Sequence, residues 1–221
     1  MRLIIIGCEY TGKSTLAVQI KAWGEGALGG ITSSFHDHFV FPDGEANEEE
    51  QQQLIALVPS LREKYQRYMI NYHFNPAFYG DNDHCVVGFY YSEGVYAPLY
   101  YGYGRPGEYS DRAQMVRALD HEVMRIAPDT VLVLMKASPE VIRRRMAAHP
   151  TRETVLQGKD VEFVLERFDE LFSGSLIRRK FVLDTSTASL EETLGVFLKN
   201  MEPHFTLMDR MRMLTHRTRG T

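Results

Sequence analysis

Short unbroken apolar runs alternate along the chain with longer stretches in which apolar residues recur every three or four positions. Leu3 to Ile6 is the first run, reading as a strand buried on both faces. After Gly7 the period changes. Leu16, Ile20 and Trp23 share one side of a helix from about Lys13 to Trp23, and the breakers of Gly24 to Gly30 end it. A second strand is expected near Ile31 to Phe35, followed by a loop containing Asp37, Pro42 and Gly44. Asn47 to Tyr72 has the pattern of a long helix broken around Pro59, and Glu48, Glu49 and Glu50 suit the positive end of its dipole.

Cys85 to Phe89 is the third strand, opening a Tyr- and Gly-rich loop that runs to Tyr109, and a helix follows from Ser110 to Arg125. Val131 to Met135 is a fourth strand. Ser138 caps the next helix, with Pro139 at its first position and Glu140 in its first turn. His149-Pro150 breaks that helix and begins a polar segment to about Lys159. Helix Val161 to Phe172, strand Lys180 to Asp184, helix Leu190 to Met201 and a basic, Met-rich tail over 207–221 complete the pattern. This alternation predicts an α/β fold, a three-layer α/β/α sandwich around a five-stranded parallel sheet. With no internal repeat and no low-complexity linker, residues 1–221 read as one domain.

The chain has 221 residues, enough to bury a full core around one sheet. Its formal net charge of −4 gives no global electrostatic reason to bind nucleic acid or an anionic membrane, so neither is expected as a partner. Cys8 and Cys85 have no metal-ligand spacing and lie on or beside apolar runs, which favours a reducing, cytoplasmic setting. The apolar run before Gly7 is too short for a signal-peptide core, and no other stretch approaches membrane length.

Chemistry enters at Gly7-Cys8-Glu9-Tyr10-Thr11-Gly12-Lys13-Ser14, which fits G-x-x-x-x-G-K-[ST] without a gap between an apolar strand and an amphipathic helix. The glycines free the backbone so that consecutive amides, Tyr10 and Thr11 among them, point at phosphate oxygens, and the helix N-terminus adds partial positive charge. Lys13 is expected on the β- and γ-phosphates, Ser14 on Mg²⁺, and Thr15 on the α-phosphate, which implies ATP and Mg²⁺ as ligands.

Over most of its length the layout resembles the P-loop nucleoside and nucleoside-monophosphate kinases, thymidylate kinase in particular. Asp37-His38-Phe39-Val40-Phe41-Pro42 is similar to the D-x-F-x-x-P stretch of uridine kinase-like enzymes. That similarity implies that Asp37 orients and deprotonates the acceptor, with His38 and Phe39 beside it. Ser92 and Tyr96 are spaced as in the thymidylate kinase motif D-R-[YH]-x-x-S-x-x-x-Y, but Val87 and Gly88 stand where that motif has Asp and Arg. Glu93 is then the nearest carboxylate able to replace the missing acid. Tyr91 and Tyr96 have rings suited to stacking on a planar acceptor, and Arg105 is suited to an acceptor anion.

Lys136 to Met146 resembles the strand-to-lid passage of these kinases, which implies a short lid over approximately 147–160 and an arginine that covers the transferred phosphoryl. Because successive helical residues point about 100° apart, not all of Arg143, Arg144 and Arg145 face the phosphates. Arg145 and Arg152 are the candidates. The loop after the last strand, from Thr185, is expected beside the adenine. The combined expectation is a small-molecule kinase acting on a nucleoside-like acceptor, with a homodimer left open. The alternative is a nucleotide-binding switch or adaptor, suggested by the missing strand-end acid and the basic tail.

Overall fold

The computed structural model describes residues 1–31, 33–36, 40–41, 44–45, 47–79, 83–150 and 154–219. In chain order the elements are β1 (Arg2–Ile6), α1 (Lys13–Leu28), β2 (Ser33–His36), β3 (Val40–Phe41), β4 (Gly44–Glu45), α2 (Glu48–Ile55), α3 (Pro59–Phe78), β5 (His84–Val87) and α4 (Phe89–Tyr96). They continue with α5 (Arg112–Ile126), β6 (Val131–Lys136), α6 (Pro139–Ala148), α7 (Val161–Gly174), β7 (Arg179–Asp184), α8 (Leu190–Met201) and α9 (Leu207–Arg219). A parallel five-stranded sheet runs in the order β2-β5-β1-β6-β7, and β3 and β4 form a separate antiparallel pair.

The period-two rule explains the three layers. On β1, Ile4 and Ile6 join a core with residues of α3, α4, α5, α6 and α7. Leu3 and Ile5 point the other way, into a second core built with α1, α8 and Met213 of α9. All four are fully buried, as central strands of a sheet covered on both faces require.

The ends and character of four segments are set by the tertiary structure. The first helix continues past Gly24 to Leu28 and ends where Gly29 adopts a left-handed conformation, φ 77°. Gly24 is a packing residue, because a Cβ there would come within 2.7 Å of the Ile31 side chain. The second helix is divided at Pro59 as expected, with Pro59 opening α3 as its first residue. The Tyr- and Gly-rich stretch is helical: all eight residues of α4 are buried, and a π-helical turn extends it over Ala97–Tyr101. The basic tail is also helical. Arg212 of α9 donates to Leu28 O (3.0 Å), Gly30 O (2.8 Å) and Asp83 Oδ2 (2.6 Å), which fixes α9 against the end of α1.

Candidate functional site

β1 delivers the chain to the C-terminal edge of the sheet between β5 and β6, and the loop turns there into α1. Gly7 has φ 141°, and a Cβ on it would lie 2.3 Å from Met135 O, so only glycine lets the loop leave β1 this close to β6. Gly12 is left-handed at φ 89° and opens α1 with no side chain capping the helix. The first-turn amides and the dipole are therefore directed at the loop interior. Lys13 bends back over the loop, its Nζ donating to Gly7 O at 2.8 Å and Cys8 O at 3.0 Å. Thr11, wholly buried, closes the inside of the turn by donating from Oγ1 to Cys8 O at 2.7 Å.

Beside the loop lies a cavity of about 450 Å³ lined in part by Tyr10, Thr15, Gln19, Arg145, Thr185 and Leu190. Thr185 is its hinge point: Oγ1 lies 3.0 Å from Thr11 O and 3.1 Å from Lys136 O, and accepts from Arg145 Nη1 at 3.2 Å. Arg145 also donates to Tyr10 O at 2.8 Å and to Thr185 O at 2.7 Å. Its guanidinium is thus pinned by its edge between the loop and the end of β7, on the wall of this cavity. Partial burial, with Arg144 nearby, lowers its pKa from the usual arginine value. Arg145, expected over the transferred phosphoryl, is thus placed against the loop and Thr185. Arg143 is engaged with Glu162 at 2.7 Å and Gly158 O at 3.1 Å, and Arg144 is exposed. Arg152 lies outside the described residues, as do Asp37, His38 and Phe39.

Two acceptor-side expectations are also corrected. Tyr91 is fully buried, and its hydroxyl donates to Asp120 Oδ1 at 2.6 Å and pairs with Ser175 Oγ at 2.8 Å. Burial and the adjacent Asp120 push that hydroxyl's pKa well up, so it is a neutral core group, not a stacking surface. Glu93 is buried too. Its Oε2 accepts from Arg112 Nε at 3.1 Å and from Tyr103 OH at 3.0 Å, and burial raises its pKa against the opposing pull of Arg112. That carboxylate is committed to a buried ion pair, not to a metal-bound water. Tyr96 is buried but does reach the loop, its hydroxyl accepting from Glu9 N at 3.1 Å. Arg105 is exposed in the turn that leads to α5.

The residues Gly7, Tyr10, Thr11, Gly12, Lys13, Ser14, Thr15 and Thr185 are thus gathered on one loop and one cavity. The uncapped N-terminus of α1 and the Lys13 ammonium give this loop the chemistry that suits a phosphate chain. For Mg²⁺, Ser14 is exposed at the start of α1. Among the described residues no group of three or more His, Cys, Asp or Glu side chains is placed to hold a metal. Among the described residues no helix is long and apolar enough to cross a membrane.

Sequence reasoning missed Glu9, Gln19, His149 and the Arg112 cluster. Glu9 sat at an unspecified position of the motif, while Gln19 lies one turn beyond Thr15, where helical spacing alone would have placed it on the same face. Arg112 follows the capping residue Asp111 and carries no local signal of burial.

No family model matches the chain, and no curated protein matches it by sequence. Solved structures do match it in fold. The YorR protein from Bacillus subtilis, solved in complex with phosphorylated GDP, is 22% identical and superposes with a TM-score of 0.57 over 92% of this chain and 99% of that one. Deoxyadenosine kinase from M. mycoides with bound dATP is 13% identical, with a TM-score of 0.59 over 91% of this chain and 100% of the other. Thymidylate kinase from Candida albicans is 14% identical, with a TM-score of 0.58 over 92% and 93%. The chain has the P-loop nucleotide and nucleoside kinase-like fold.

Proposed function

We propose that this protein is an ATP-dependent phosphotransferase that passes a terminal phosphoryl group to a hydroxyl or phosphate of a nucleoside-like small molecule. The observation that carries the reading is the loop from Gly7 to Thr15, a glycine-bounded turn at the sheet's C-terminal edge with a lysine ammonium folded over it. The kinase-like fold of its structural neighbours supports it.

In this reading the loop amides and the start of α1 hold the phosphate chain. Lys13 exchanges its hydrogen bonds to Gly7 O and Cys8 O for phosphate oxygens, which is a small motion of a flexible stem. The cavity between Thr15, Arg145 and Thr185 takes the base, with the pinned guanidinium presenting a face to it. Mg²⁺, held through Ser14, would supply charge neutralisation between the terminal phosphates. Asp37 follows β2 directly and is proposed as the group that orients the acceptor and takes its proton.

The test is nucleotide binding and ADP release measured for wild type and Lys13→Ala against a panel of nucleosides and monophosphates. Lys13→Ala should weaken Mg-ATP binding by about tenfold or more, the scale of one charge-assisted hydrogen bond. ADP release should depend on one class of acceptor. Tight binding with no acceptor dependence would favour the switch or adaptor, a reading supported by Val87 and Gly88 at the end of β5 and by the engagement of Glu93 with Arg112.

A further inference from the structure

We propose that Glu9 and Tyr10, two unspecified positions of the loop motif, are positioning residues that fasten the lid's return segment to the phosphate loop. The consecutive amides of Val155 and Leu156 both point at the Glu9 carboxylate, at 3.4 Å from Oε1 and 3.2 Å from Oε2. Successive backbone amides converging in this way form the concavity that proteins use for anions, and here a side chain of the loop is the anion. The Tyr10 hydroxyl pairs with Thr154 Oγ1 at 2.8 Å and donates to His149 O at 3.4 Å. Residues on both sides of positions 150–153 are therefore tied to one tyrosine.

The two side chains are themselves held in place. Tyr10 has φ 64°, a left-handed conformation costly for a bulky residue, and Arg145 fixes its carbonyl at 2.8 Å. Glu9 is fixed through its amide by the buried hydroxyl of Tyr96. Farther along, Tyr100 accepts from Gln157 N at 3.2 Å and donates to Asp160 at 3.0 Å, which continues the attachment into the turn before α7. Tyr96 of α4 and Tyr100 of its π-helical extension thus support the lid. Since the peptide between Glu9 and Tyr10 belongs to the turn that surrounds the phosphates, a shift of that turn must move the return segment as well. The lid and the phosphate loop respond as one unit.

This role presupposes the kinase reading for its consequence, the exclusion of water from a bound triphosphate, but not for its geometry. The experiment therefore has two parts, on wild type, Tyr10→Phe and Glu9→Gln. Amide exchange is first followed in nucleotide-free protein. Exchange over 154–157 should rise about three- to tenfold in each variant, the factor one hydrogen bond carries, with the rest of the sheet unchanged. ADP release from Mg-ATP without acceptor is then compared with release in its presence. The acceptor-independent share of ADP release should rise severalfold in the variants. Unchanged exchange over 154–157, or exchange raised equally throughout the protein, overturns the attachment. Raised exchange with an unaltered ratio of hydrolysis to transfer overturns its role in excluding water. If wild type binds no Mg-nucleotide, the kinase reading falls, and the exchange data still decide the attachment.

Discussion

Arg112 is 1% exposed, and its guanidinium donates to Glu93 Oε2 at 3.1 Å and to Glu63 Oε1 at 3.0 Å, beside the ring of Tyr103 at 4.8 Å. Replacing it with methionine keeps much of the volume and removes the charge. Glu93 is then left buried and unpaired, and breaking a buried pair from one side costs about 3–5 kcal/mol. At about 2–4 °C per kcal/mol for a chain of this size, Tm should fall by roughly 6–20 °C. The loss should depend on pH, and the sign follows from both carboxylates. Burial raises the Glu93 pKa in the folded protein, and Arg112 is the main force opposing that rise. Without Arg112 it rises further, so the folded variant binds a proton more tightly than the unfolded chain. Its penalty is fullest at neutral pH and fades as pH falls toward the ordinary carboxylate value. For Glu63, burial also pushes upward, but hydrogen bonds from Arg67 and Arg112 outweigh it and hold the pKa below the usual range. Wild type loses that contribution as pH falls, which narrows the gap further. Urea unfolding at pH 8 and pH 5 measures the difference. Adding Glu93→Gln to Arg112→Met should recover at least about 1 kcal/mol at pH 8, because a neutral amide is cheaper to bury than a lone carboxylate. A loss under about 1 kcal/mol, typical of an exposed pair, or one equal at both pH values, would refute the reasoning.

Gly7→Ala and Gly12→Ala should differ sharply in thermal unfolding. The first puts a Cβ 2.3 Å from Met135 O and should prevent the loop from closing on β6. The second meets nothing nearer than Met135 Cε at 3.9 Å and bears only the strain of its left-handed backbone, about 1–2 kcal/mol; equal losses would show that the approach to β6 is not what selects glycine. Burial pushes the Cys8 thiol up to about 12 despite the nearby charge of Lys13, and pushes Cys85 to about 12 as well. Neither should react with a thiol reagent in folded protein at pH 8, and both should react in urea; rapid labelling of the folded chain would contradict their burial.

The parallel sheet was legible because its central strands β1, β5 and β6 are largely apolar runs, a pattern that local spacing records directly. The phosphate loop was legible for a related reason. Its function resides in main-chain amides, so the sequence need only mark the glycines, the lysine and the strand and helix on either side. α8 spans Leu190 to Met201, the bounds expected of it. The roles of individual polar side chains were not legible, because they depend on residues distant in sequence. Arg145 reads as a lid arginine until the carbonyls of Tyr10 and Thr185, on two other elements, hold it beside a cavity. Glu93 reads as a loop acid until Arg112 arrives from α5. The tyrosines read as a stacking surface until α4 turns Tyr91 toward Asp120 and Tyr96 toward Glu9. Apolar period and backbone freedom are properties of neighbours in the chain, and those the sequence determined alone. Which charge meets which partner, and whether water reaches either, was decided only when the helices closed over the sheet.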